Sequence, residues 1–188
     1  PLLRRSIPVV LVNGVAGECP VPSVAVDIAR GGEMAVRHLA HMGHTRIGVL
    51  AGPRGYTYTL QLLTGYDATM SSLGLPVDDS HVSETLFTLE GGRAGVANLI
   101  EAGMTAVICG GDLMALGAID GLRARDLYTP DDMSIVGFDG TELVVGPFQG
   151  LGLHREGARG AEQHAPAHVA PGARHRGEAG DGAHRHPS

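Results

Sequence analysis

A handful of side chains in this sequence are placed where they could hold a small polar molecule. Asp112, in "GGDLM", offers a carboxylate whose lone pairs match the two hydroxyls of a vicinal diol. Standing directly before an apolar helical stretch, it is also placed to cap that helix by accepting backbone N–H groups. Asn13 closes an apolar run in front of Gly14, where an Asn serves either as a polar contact or as an ordinary turn former. Tyr56 and Tyr58 follow Gly52-Pro53 in a loop; their hydroxyls could bond a sugar, or their rings could merely cover a sheet edge. Phe87, just past a strand-like stretch, reads first as a core residue.

Other chemistries find less support. There is no GxGxxG after the first strand, no P-loop and no GxSxG elbow, so no catalytic residues and no enzymatic activity are expected. His38, His41 and His44 stand near helical spacing and could form a metal patch, but His44 follows a helix-ending Gly43 and should point elsewhere. The expectation is of solvated histidines on a helix face, with no metal and no cofactor. Cys19 and Cys109 are too few and too far apart for a disulfide framework or a CxxC pair, and are expected to be buried small hydrophobes.

The elements that must position these residues alternate along the chain. "IPVVLVN" (7–13) is an apolar run suited to a strand buried on both faces, and "RIGVLAGP" (46–53), "AVICGG" (106–111) and "MSIVGFDG" (133–140) repeat the pattern. Between them lie helical patterns. "GGEMAVRHLAHMG" (31–43) places Met34, Ala35, Leu39 and Met42 on one side; "GRAGVANLIEAG" (92–103) groups Val96, Leu99 and Ile100. "DLMALGAIDGLRARD" (112–126) sends Leu113, Leu116, Ala118, Ile119 and Leu122 inward, and "LQLLTGYDATMSSLG" (60–74) follows the same logic less tidily. Gly43 and Gly103 are read as glycines just past helix ends. Strand, helix and strand in succession predict right-handed βαβ units and a three-layer parallel α/β sheet. Ligands in such sheets sit outside the carboxyl ends of the strands, an edge that here carries Asn13, Gly52-Pro53, Phe87, Gly110-Gly111-Asp112 and Asp139.

These stretches, in this order and spacing, resemble the effector-binding region of the LacI/GalR family of transcriptional regulators. "SVAVDIARGGEMAVRHLAHMGHTRIGVLAGP" is similar to the family's Val-x-x-Asp…Gly…Ala-x-x-His-Leu-x-x-x-Gly-His segment. "VICGGDLMALGAIDGLRARDLYTPDDMSIVGFDG" is similar to its Asp-x-Met-Ala-x-Gly-Ala…Pro-Asp-Asp-x-Ser-Ile-Val-Gly-Phe-Asp segment, and the match covers roughly residues 7 to 145. The resemblance implies a periplasmic-binding-protein-like type I fold with one lobe mostly complete. On that reading residues 1–21 are the end of a first lobe and its crossover, 22–145 the effector-binding second lobe, and 146–188 a disordered tail. It implies a small-molecule effector, a sugar or a nucleoside-like compound, and a homodimer. DNA would be contacted only through an N-terminal helix-turn-helix domain not seen in this sequence; no membrane is involved and the compartment is cytoplasmic. It also implies that Asp112 accepts hydrogen bonds from the effector, that Asn13 is a polar contact and that Phe87 stacks on the ligand. One position departs: the family usually carries an Arg three residues before a Gly-Tyr, and here that position is Leu62.

Composition agrees with a soluble domain. Hydrophobic residues make up 43%, the formal net charge is -6, and all 14 basic residues are Arg, which leaves no basic block before the tail to grip nucleic acid. "PLLRRSIPVV" lacks the long apolar region of a secretory signal, which weighs against the rival reading as a periplasmic sugar-binding protein. From Gly150 onward the chain has almost no aliphatic residues and holds six of the ten histidines. Such a tail cannot bury enough apolar surface to offset its conformational entropy. Its composition matches an out-of-frame translation of GC-rich DNA; a His-rich metal-binding tail is the rival reading, although no repeated ligand spacing supports it.

Overall fold

A computed structural model describes residues 8–13 and 21–140. Four parallel strands form the central sheet in the order β4-β3-β5-β6: β3 (Ile47–Ala51), β4 (Val82–Glu84), β5 (Ala106–Cys109) and β6 (Ser134–Val136). Helices α1 (Ile28–His41) and α2 (Thr57–Ser72) cover one face; α3 (Leu89–Glu101) and α4 (Asp112–Arg123) cover the other. Two residues each of β1 (Leu11–Val12) and β2 (Ser23–Val24) pair in parallel as a separate ribbon.

β3 and β5 are buried at every position, which is why they read as unbroken apolar runs. Successive residues of one strand feed opposite cores. Ile47, Val49 and Ala51 join Val36, Leu39, Leu62, Tyr66 and Met70 beneath α1 and α2, while Leu50 joins Val96, Leu99, Met114 and Leu122 beneath α3 and α4. The expected three-layer parallel architecture is therefore present.

Several elements depart from expectation. The described part of the run 7–13, residues 8–13, is not a strand buried on both faces. Val10 is 57% and Val12 74% exposed, because β1 pairs only with β2, outside the main sheet. Helix α1 begins three residues early, at Ile28, because Asp27 caps it: its Oδ1 accepts the Arg30 N–H at 2.9 Å. Thr88 does the same for α3 through the Gly91 N–H at 3.0 Å. On α4, Leu113 is 47% exposed rather than inward, and Met114 and Ala115 are fully buried instead. The reason is glycine. A Cβ on Gly117 would lie 2.0 Å from the Leu89 carbonyl oxygen, and one on Gly92 2.1 Å from that of Met114, so α3 and α4 touch backbone to backbone along that stripe. Ala118, Ile119 and Leu122 are buried as expected, and the glycine stripe turns the first turn so that Leu113 faces out.

The histidines also divide. His41 is exposed as expected, but His38 and His44 are half-buried. His44 turns off the helix and its ring spans two strand starts: Nδ1 lies 3.0 Å from Thr105 Oγ1 and Nε2 3.0 Å from Ser134 Oγ. Thr105 Oγ1 donates to the Arg46 carbonyl at 3.2 Å, so it receives the Nδ1–H, and the Ser134 hydroxyl donates to Nε2. Cys109 is buried as expected; Cys19 and the tail 146–188 lie outside the described residues. Among the described residues no helix is long and apolar enough to cross a membrane.

Candidate functional site

The chain leaves β3 for β4 on one side and later returns to β5 on the other, so the order of connections reverses between β3 and β5. The connections leaving the two carboxyl ends run to opposite faces, to α2 and to α4, and in a doubly wound sheet that is where a crevice forms. Both strands end there in glycine, Gly52 after β3 and Gly110-Gly111 after β5. Phe87 lies across them. A Cβ on Gly52 would fall 2.0 Å from the Phe87 ring, one on Gly110 3.3 Å and one on Gly111 3.9 Å. Any larger residue at Gly52 would evict the ring.

Phe87 begins a row of aromatics set edge to face. Tyr56 stands 6.1 Å from its centroid and Tyr58 5.7 Å, and Tyr58 is in turn 5.7 Å from Phe138. Phe138 is seated against Gly31 of α1, where a Cβ would come within 2.3 Å of the ring. The Tyr58 hydroxyl is buried without a hydrogen-bond partner. Burial pushes its ionisation far above the usual range, and the carboxylates of Asp139 and Asp112 push it further. It remains a phenol with a proton to donate.

Asp112 is 2% exposed. It does not cap α4, whose N-cap is Gly111 with no side-chain cap bond; Asp112 is the first helical residue. Its Oδ1 instead accepts the amides of Phe138 and Asp139, each at 3.2 Å, fastening the turn after β6 to the end of β5. Asp139 reciprocates, its Oδ2 accepting the Asp112 N–H at 3.2 Å, and so satisfies an open N–H of the first turn of α4 from a distant strand. Burial pushes the Asp139 carboxyl above the ordinary range, the Asp112 amide pulls it back, and the nearby Asp112 charge adds to the rise. Leu62 is fully buried beside the end of β5, with Cδ2 3.5 Å from where a Cβ on Gly110 would stand. The cation nearest in sequence to the β3 turn, Arg54, is paired with Glu84 at 3.5 Å.

Of the five residues singled out from the sequence, Asp112, Phe87, Tyr58 and Tyr56 gather at this crevice. Asn13 belongs to the β1–β2 ribbon. Its φ is +52°, its N–H donates to the Val24 carbonyl at 2.8 Å, and its Oδ1 accepts from the Val26 N–H at 3.3 Å. Phe138 and Asp139 are the residues missed. Asp139 was visible as a polar residue closing a strand at the ligand edge, and only its pairing with Asp112 was hidden. No group of three His, Cys, Asp or Glu side chains with metal-site geometry occurs among the described residues.

Comparison with known proteins agrees with this fold. The pattern of the periplasmic binding protein-like domain matches residues 36–148. An uncharacterised helix-turn-helix-type transcriptional regulator of Streptomyces limosus, from the 5′ region of aml, is 45% identical over 77% of this chain, which spans 42% of the regulator. A regulatory protein of the LacI family from Chloroflexus aggregans superposes with a TM-score of 0.70 at 31% identity, covering 76% of this chain and 52% of that one. A LacI family regulator from Enterococcus faecium with bound ribose gives 0.70 at 26% identity, covering 77% and 54%. The chain thus belongs to the periplasmic binding protein-like domain family, in the form carried by LacI-family transcriptional regulators.

Proposed function

We propose that this chain is the second, effector-sensing lobe of a LacI-type transcriptional regulator and that its effector is a neutral sugar held over the β3/β5 crevice. One observation carries the reading: an aromatic ring laid on a glycine floor beside a reciprocal carboxylate pair. A sugar ring has an apolar face to stack on Phe87 and hydroxyls to donate to Asp139 and Asp112, while the protonated Tyr58 hydroxyl donates back. Leu62 stands where the family usually carries an Arg, so that cation is not supplied to offset an anionic effector and sugar phosphates are disfavoured. The ribose bound to the Enterococcus faecium relative is consistent with this class of ligand. Asn13 would reach the effector only from the ribbon, on the side of the crevice that a first lobe would close.

In such a regulator the effector bridges two lobes and favours one closure state, which changes how paired helix-turn-helix domains meet an operator. DNA contact belongs to that other part of the protein, and this lobe is non-enzymatic and works in the cytoplasm. Dimerisation fits the exposed Leu86, Leu89 and Leu113, at or just before the amino-terminal ends of the packed helices α3 and α4. The test is a thermal-shift panel of pentoses, hexoses, disaccharides and their phosphates. A ligand at about 100 times its Kd stabilises the folded state by about 2.7 kcal/mol, several degrees for a domain of this size. A neutral sugar should raise the Tm and its phosphate should not; a panel in which only phosphates raise it defeats the proposal.

A further inference from the structure

The aromatic row of the crevice runs further than one sugar ring needs. Tyr58 contacts both Phe138 and Phe87 at 5.7 Å between centroids, and Tyr56 extends the row from Phe87 by a further 6.1 Å. The carboxylates belong to the inner end, where Asp139 follows Phe138 and both Asp139 and Asp112 bear on the Tyr58 hydroxyl. Tyr56 is the outer end. Its ring stands at 70° to that of Phe87 and it is 58% exposed, whereas Tyr58 and Phe87 are half-buried. Leu60, one turn along α2, is 50% exposed, and its N–H donates to the Tyr56 carbonyl at 3.2 Å, which makes the two side chains neighbours on the helix surface. A Cβ on Gly55 would meet no atom within 4 Å, so the space beside Tyr56 is open. Arg54, the preceding residue of that loop, is paired with Glu84 at 3.5 Å, and its N–H donates to Glu84 Oε1 at 3.1 Å.

A hexose ring has the breadth of a single aromatic side chain. Seated on Phe87 with hydroxyls at Asp139 and Tyr58, it leaves Tyr56 bare. A bare Tyr offers a rigid apolar wall with a polar tip at little conformational cost, and a second sugar ring across one glycosidic bond is what reaches it. We propose that the effector is a disaccharide, its first ring over Phe87 and its second against Tyr56 and Leu60, with the Arg54 and Glu84 pair meeting hydroxyls of the second ring. The inference rests on the sugar reading of the crevice and names the size of the sugar.

The test titrates the full 188-residue chain with glucose, galactose, maltose, cellobiose, lactose and trehalose while backbone amide resonances are followed. One of the disaccharides should bind about fivefold or more tighter than either monosaccharide and should add shifts at residues 54–60 to those of the crevice. Tyr56 is exposed, so Tyr56→Ala should fold with unchanged circular dichroism and lose that preference, while Tyr56→Phe, which keeps the ring, should retain it. A monosaccharide that moves the crevice resonances and binds within about fivefold of the best disaccharide overturns the inference and leaves the sugar reading standing. A preference undiminished in Tyr56→Ala also overturns the inference alone. Crevice resonances unmoved by all six sugars would overturn the inference together with the reading it rests on.

Discussion

At the scale of single residues, Asp112 and Asp139 divide the work that the sequence assigned to one Asp. Asp112 is buried and its Oδ1 accepts the amides of residues 138 and 139, so it holds the turn as well as facing the crevice, while Asp139 is exposed and carries the carboxyl freer to turn to a ligand. Asp139→Asn keeps an oxygen for the Asp112 N–H but loses the charge, so it should cost little stability. It should weaken sugar binding by about 1.5 to 3 kcal/mol, roughly ten- to a hundredfold, in a calorimetric titration. Asp112→Ala leaves the amides of residues 138 and 139 without their acceptor and should lower the unfolding free energy by about 1 to 3 kcal/mol in urea. Equal effects of the two variants on stability would contradict this division. The sequence made Asp112 legible because an Asp before an apolar helix has only a few uses. It hid the partnership because the two residues are 27 apart and meet only when β5 and β6 lie side by side.

The next scale is that of helices and strands, where two contacts decide how elements meet. Gly117 lets α4 approach α3 so closely that an added methyl would strike the Leu89 carbonyl, so Gly117→Ala should destabilise the chain by about 1 to 3 kcal/mol despite its better helix propensity. A urea midpoint equal to or above that of the parent would show that the helices can part at no cost. His44 ties the starts of β5 and β6 to the turn before β3. Burial lowers its affinity for a proton, and the neighbouring His38 lowers it further. A base whose folded pKa lies below its unfolded value contributes fully while both states are neutral. It loses that contribution as pH falls below about 6.5, where the unfolded chain takes up the proton first. Stability should therefore fall between about pH 7 and 5 more steeply in the parent than in His44→Asn; parallel curves would mean that the ring titrates as if free. Element positions were legible wherever a strand was buried on both faces or a helix ended on glycine. On α4 the inward Ala118, Ile119 and Leu122 were legible, and the first turn was not: apolar spacing put Leu113 inward, while the close approach at Gly117 and Gly92 buries Met114 and Ala115. The ribbon 11–12 was misjudged for a related reason: apolar composition alone cannot say whether a neighbour exists to cover it.

For the molecule as a whole, the sheet order places its reversal at the crevice, and exposed leucines stand beside it at or just before the amino-terminal ends of α3 and α4. Leu86, Leu89 and Leu113 should hold two copies together, so Leu113→Glu should shift the sedimentation coefficient from that of a dimer to that of a monomer without changing helix content. An unchanged dimer would move the interface off this face. The succession of strand and helix from α1 to β6 was legible because apolar runs and helical patterns alternate there without interruption. What the effector is was less legible, since ligand class depends on which side chains converge rather than on any one of them. Mapping the best sugar from the thermal panel onto the backbone amide resonances of the 188-residue chain tests the central claim most directly. Saturable shifts concentrated at residues 52–58, 87, 110–112 and 138–139, lost in Asp139→Asn, are the predicted result. Shifts that leave those segments untouched, or that survive Asp139→Asn at the same affinity, would contradict a sugar site at the β3/β5 crevice.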